Sequence, residues 1–162
     1  MKIFLESSSL EEIKNALDFK LIDGVDFNLD LPVFKEMDHK KHLSETFKMI
    51  HGPCMVNTSE KNSQGILGEA KQVVGLGLNA VIKIPTTKVI MSGRVGGEFV
   101  NLELSGDSQE EGVGELVSIY KKYNFESTLM ISGFTKLSQV NEAIKAGIGI
   151  ISVSYEVLIN LV

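Results

Sequence analysis

Cysteine is almost missing from this chain: one residue in 162, Cys54, so no internal disulfide can form. A lone thiol suits a reducing cytoplasm, and Pro53 and Met55 on either side of it point to a buried strand thiol rather than a catalytic one. Long apolar runs are also lacking. The longest nearly uninterrupted one, residues 146–153, contains two glycines and is less than half of the roughly 20 residues that cross a bilayer. No membrane span is expected. Ile3-Phe4-Leu5 is the whole apolar content between Lys2 and Glu6, too little for a secretory leader. Basic residues are not in excess either, with 16 Lys and Arg against 21 Asp and Glu and a net charge of -5. A phosphate-backbone binder gathers cations on one face, so nucleic acid is not an expected partner.

What is present suits one folded domain over residues 1–162: 43% hydrophobic and 23% charged residues, enough apolar material for a core. Short β-like runs alternate with helical stretches. A strand at 2–5 leads to Ser9-Leu10-Glu11-Glu12, which reads as a capping box, with Leu10, Ile13 and Leu17 on one helical face. A second strand at 21–27 follows, interrupted by Asp23-Gly24. Leu43, Phe47 and Ile50 then mark a helix that stops near His51-Gly52-Pro53. Residues 54–57 form a third strand. The next helix is expected to turn Ile66, Leu67, Ala70, Val73 and Val74 inward, and residues 80–84 form a fourth strand. Later come a helix around Val113, Leu116, Val117 and Tyr120, a strand at 127–131, a helix with Leu137, Val140 and Ile144 inward, a strand at 148–153 and the start of a last helix.

The rhythm fails between 86 and 107. V-I-M-S and E-F-V-N-L-E-L are separated only by Gly93-Arg94-Val95-Gly96-Gly97, too short for a parallel crossover, so an antiparallel hairpin is expected there. The same glycines lack the setting and spacing of a phosphate loop. Strands alternating with helices elsewhere imply βαβ units and a parallel sheet. The length is short for a complete (β/α)8 barrel, which needs about 200 residues or more.

One residue stands out. Lys83 lies in the apolar run N-A-V-I-K-I-P, where a buried ammonium needs a compensating charge or a use.

The strand ends form an ordered series: L-E-S at 5–7, D-G-V-D-F-N at 23–28, H-G-P at 51–53 and V-I-K-I-P at 81–85, followed by E-G-V-G-E-L-V-S-I-Y-K-K-Y-N-F at 111–125. In order and spacing this resembles the transaldolase family, in particular its small fructose-6-phosphate aldolase-like branch, shortened internally and at the C-terminus. The resemblance implies an α/β fold of the TIM type, a (β/α) barrel, abridged, with a β-hairpin in place of one βα unit. It implies that Lys83 forms a Schiff base with a small ketose, transferring or cleaving a dihydroxyacetone unit. Val81, Ile82 and Ile84 are the apolar walls expected to favour its neutral amine. Glu6 stands where the family has an aspartate and would move protons. Asn28, Asp26, Asn57, Arg94 and Ser132 are the implied substrate-binding residues; Arg94 and Ser132 correspond to phosphate contacts, Ser132 one position off and so expected on the opposite face of its strand. No cofactor or metal is implied. A small sugar or sugar phosphate is the implied partner, and a homo-oligomer is expected because removing a βα unit leaves strand edges to cover.

Plainer readings stand beside these. Lys83 can reach water or pair with Glu6 or Asp26, and Asn28 can bond backbone. Phe27 either fills the pocket mouth or recognises a different substrate, with filling preferred. His39, His42 and His51 read as surface histidines. The whole is then either a class I aldolase or transaldolase, or a non-catalytic relative retained for assembly or partner binding.

Overall fold

The computed structural model of the chain describes residues 1–27, 39–58, 60, 62–84, 98–104 and 113–161. Two compact bodies are present, one formed by Phe4–Pro85 and one by Met1–Ile3 with Thr86–Val162.

Four strands, β1 (Lys2–Glu6, of which Phe4 to Glu6 belong to the first body), β2 (Gly24–Phe27), β3 (Cys54–Asn57) and β4 (Ala80–Lys83), alternate with helices α1 (Leu10–Asp18), α2 (His39–Met49) and α3 (Ser63–Val74). Each strand pairs in parallel with the next, with Glu6 opposite Asp26, Asp26 opposite Met55, and Asn57 opposite Lys83. Intervening helices make this parallel order possible, since each must carry the chain back to the start of the next strand. The core is apolar and closely filled by Phe4, Leu5, Ile13, Val25, Phe27, Met55 and Val56.

Local chemistry sets the helix starts. Ser9 caps α1 by accepting the Glu12 amide at 3.3 Å. The other half of the expected capping box is replaced: the Glu12 carboxylate accepts from the Ser7 hydroxyl, and Ser7 Oγ in turn accepts the Ser9 amide at 3.0 Å. Asn62 caps α3 through the Gly65 amide at 2.8 Å. At the far end of α2, the Asn79 side-chain amide donates to the carbonyls of Ile50 at 2.8 Å and Gly52 at 3.1 Å. Asn79→Ala would leave both acceptors short of a partner, and a loss of about 2 kcal/mol is expected in urea unfolding.

The helix α3 departs from expectation. Ile66, Leu67, Ala70, Val73 and Val74 were to face inward, yet Val73 alone is buried and Leu67 and Val74 are exposed. The five positions fall on one arc of about 120°, with Val73 at one edge and Leu67 and Val74 at the other, so the buried side of α3 is the Val73 edge of the stripe.

The second body holds β5 (Phe99–Glu103), α4 (Val113–Lys122), β6 (Thr128–Ser132), α5 (Leu137–Ala146), β7 (Ile150–Ser154) and the short α6 (Tyr155–Ile159). β5 pairs in parallel with β6, and β6 in parallel with β7. The Lys2 amide, which belongs to this body, donates to the Gly149 carbonyl at 2.9 Å. Gln139 Oε1 fixes the start of α5 by accepting the amides of Thr135 and Lys136. Gly147, at φ +85°, ends the helix in the left-handed conformation that only glycine adopts cheaply. Val140 and Ala143 of α5 are buried, but Leu137 and Ile144 are exposed, against the expected inward face. The architecture is α/β with every described pairing parallel. E-F-V-N-L-E-L supplies β5, while V-I-M-S and the glycine-rich turn of the expected hairpin lie outside the described residues.

Candidate functional site

A parallel strand turns successive side chains to opposite faces. In β2 this separates Phe27 from Asp26. The Phe27 ring meets the His42 ring of α2 edge-on, centroids 6.4 Å apart at 88°, so Phe27 faces the helices and Asp26 faces away from them. Register then places Glu6, Asp26, Met55, Asn57, Val81 and Lys83 on that same helix-free face. Phe27 therefore neither fills nor guards a mouth beside Lys83: it is a fully buried core residue of the helix-facing layer.

Lys83 reaches back across β3 to Asp26. Its Nζ donates to Oδ1 at 2.9 Å and to Oδ2 at 2.8 Å. The Asp26 side chain is 2% exposed and that of Lys83 23%. Two charge-assisted contacts to one carboxylate compensate the ammonium that the sequence placed in an apolar run. Backbone bonds steady the strand end from which it projects: the Lys83 carbonyl accepts from the amide and the hydroxyl of Thr58, both at 3.4 Å. The expected walls are thinner than the sequence suggested. Val81 and Ile82 are half-buried and Ile84 is 62% exposed, so among the described residues the partner of this nitrogen is the Asp26 carboxylate.

Glu6 lies directly opposite Asp26. Neighbouring strands run about 4.8 Å apart, so two carboxylates share one edge of the site, and the Lys83 cation offsets their mutual repulsion. Asn57 is level with Lys83 on the adjacent strand. These four residues are brought together by strand order alone. Asn28 and Arg94 lie outside the described residues. Ser132 belongs to the second body, where it is buried and accepts the Asn101 side-chain amide at 2.9 Å. Its neighbour Ile131 lines a cavity with Phe134, Gln139 and Ala143 of the α5 region. Ser132 thus faces away from the helices.

The histidines need correction too. His42 is buried, and its Nε2 lies 2.6 Å from the Ser8 carbonyl; a carbonyl only accepts, so this nitrogen carries the proton. His51 is exposed, and the His39 side chain lies outside the described residues. Burial pushes the Cys54 thiol up to about 12, so it stays protonated and unreactive at neutral pH. Among the described residues no His, Cys, Asp and Glu side chains cluster as a metal site, and no helix is long and apolar enough to cross a membrane. Sequence reasoning missed the buried serines Ser7 and Ser8 beside Glu6. The run S-S-S immediately after a strand was their signal.

No family model matches the chain. A "Probable transaldolase" of Thermoplasma volcanium is 24% identical, the alignment covering 98% of this chain and 86% of that protein. Those of Dictyoglomus turgidum and Carboxydothermus hydrogenoformans are each 25% identical, covering 99% and 98% of this chain and 90% and 88% of theirs. The first alignment runs over 192 residues against the 162 available here, so at least 30 of its positions have no counterpart in this chain. Among solved structures, a designed cube-shaped porous cage made by fusing symmetric oligomeric domains matches with a TM-score of 0.56 and 13% identity. The match covers 94% of this chain, which spans 62% of that one, and it is a likeness of fold. Over nearly its whole length this chain is similar in sequence to these probable transaldolases.

Proposed function

We propose that the protein acts on small ketoses or their phosphates through an iminium at Lys83, cleaving or transferring a dihydroxyacetone unit. The observation that carries this reading is the two-oxygen grip of Asp26 on the Lys83 nitrogen. At first sight that grip opposes catalysis, because attack on a ketone needs the neutral amine and the carboxylate stabilises positive charge. The overall exchange is different. Ammonium plus ketone gives iminium, water and no net change in charge at the nitrogen, so Asp26 stabilises the product cation much as it stabilises the starting one. The cost falls on the transient amine alone.

In the proposed cycle the amine adds to the carbonyl carbon and water leaves, giving the iminium. Glu6 removes the proton from the hydroxyl on the carbon to be released, the carbon-carbon bond breaks, and its electron pair passes into the nitrogen to form an enamine. Asn57, and Asn28 by analogy with the family, would orient substrate hydroxyls. An abridged barrel in which a hairpin replaces one βα unit, a cytoplasmic setting and a homo-oligomer belong to the same proposal. The unmatched positions in the transaldolase alignments support the shortening.

Borohydride reduction in the presence of dihydroxyacetone or fructose 6-phosphate, followed by peptide mass mapping, tests the chemistry. One ketose-derived adduct on Lys83 is expected, because borohydride reduces only the imine that an amine forms with the bound ketone. Absence of an adduct across several ketoses would leave a structural ion pair and favour the assembly role.

A further inference from the structure

We infer that His42 is a positioning residue for the carboxylate pair, a role that rests on the function proposed above. Its ring bridges the two segments that carry Glu6 and Asp26. On one side Nε2 donates to the Ser8 carbonyl, two residues beyond Glu6, at 2.6 Å. On the other side the ring stands edge-on to Phe27, the residue after Asp26. Both contacts lie on the helix side of the sheet, while Glu6 and Asp26 point the opposite way, so through these contacts His42 acts on the carboxylates by way of backbone.

The surroundings leave this bridge little freedom. The turn after Glu6 is tied by Ser7, which accepts the Ser9 amide and donates to Glu12, and by the Ser9 cap on α1. His42 itself is buried, and its own carbonyl accepts the Thr46 hydroxyl at 3.1 Å within α2. The Ser8 carbonyl lies just before the first turn of α1, so the imidazole supplies it with a donor where the helix ladder offers none. A shift of the ring would pass to Glu6 through one covalent turn and to Asp26 through one peptide unit. Misplacement of such groups by about 1 Å is worth roughly a hundredfold in rate.

Two substitutions separate positioning from packing. His42→Phe keeps a flat ring against Phe27 and loses the donor; His42→Gln loses the ring and keeps an N–H at the reach of Nε2. With folding checked by circular dichroism, His42→Phe is expected to slow borohydride trapping on Lys83 by about tenfold or more at saturating dihydroxyacetone, with little change in half-saturation. His42→Gln is expected to return the rate to within about threefold of the parent. Carboxyl titrations of Glu6 and Asp26, followed by NMR, give a readout that needs no turnover: both midpoints are expected to move in His42→Phe, and that of Glu6 to recover in His42→Gln. If the parent protein traps no ketose, the iminium reading falls while these titrations still decide the role of His42. Should His42→Phe fail to fold, Phe27→Leu serves instead, with the Asp26 midpoint expected to move and that of Glu6 to stay. Folded variants that leave trapping rate and both titrations at parental values would overturn the inference.

Discussion

Lys83→Met is expected to abolish borohydride trapping and also to lower the free energy of unfolding by about 3 kcal/mol, as read from urea titration. The size follows from an asymmetry in the pair. Asp26 is almost wholly shielded and sits on a short side chain, so without the ammonium its charge stays desolvated. Lys83 has a four-carbon stem and a quarter of its side chain already in water, so the reverse change, Asp26→Asn, lets the cation swing outward. That variant is expected to lose only about 1 kcal/mol. Combining the two removes both charges, and the double variant should recover most of what Lys83→Met loses, because an apolar side chain beside a neutral amide strands no charge. Equal losses for the two single variants would mean that Asp26 has another route to solvation. A fall of about 3 kcal/mol is a large share of the 5–15 kcal/mol that holds an ordinary domain together.

Gly52→Ala should be at least as damaging without touching any charged group. A Cβ there would lie 1.7 Å from the Asp23 carbonyl oxygen and 2.9 Å from its carbon. Backbone, unlike a side-chain tip, cannot rotate aside. The neighbouring crossing is equally close: a Cβ on Gly24 would meet the Pro53 carbonyl at 2.5 Å, the same oxygen that accepts the Val25 amide at 3.0 Å. The segments entering β2 and β3 thus pass main chain against main chain. A loss of about 3 kcal/mol or more is expected, seen as a lowered urea midpoint and reduced soluble yield. Gly68→Ala is the control. Its added methyl would meet nothing within 4 Å, and inside α3 it is expected to stabilise by roughly 0.5–1 kcal/mol through helix propensity alone.

Much of this arrangement could be read in advance because it follows from periodicity. Alternating β-like and helical stretches announced a parallel α/β order, the Ser9 cap fixed the start of α1, and the lysine in an apolar run demanded a counter-ion, with Asp26 among the candidates. D-G at 23–24 and H-G-P at 51–53 were recognised as pieces of a pattern, and the close crossing at Gly24 and Gly52 supplies their physical reason. What escaped notice depends on which face a residue takes. Phe27 follows Asp26 directly, and only the pairing of β2 with its neighbours decides which of the two looks toward α2. In H-K-K-H, composition argues for water, but the position of His42 on the buried side of α2 overrides it. In α3 and α5 the buried face is rotated from the centre of the apolar stripe, toward Val73 in one and toward Val140 and Ala143 in the other, which leaves Leu67, Val74, Leu137 and Ile144 exposed.

The contact from Lys83 to Asp26 bridges β3 much as a strut spans a beam. α3, which packs on β4, anchors itself through a single buried valine, so the strut carries an uncommon share in keeping that strand seated. Each round of iminium formation would slacken and then retie it, making the breathing of the sheet margin keep time with turnover.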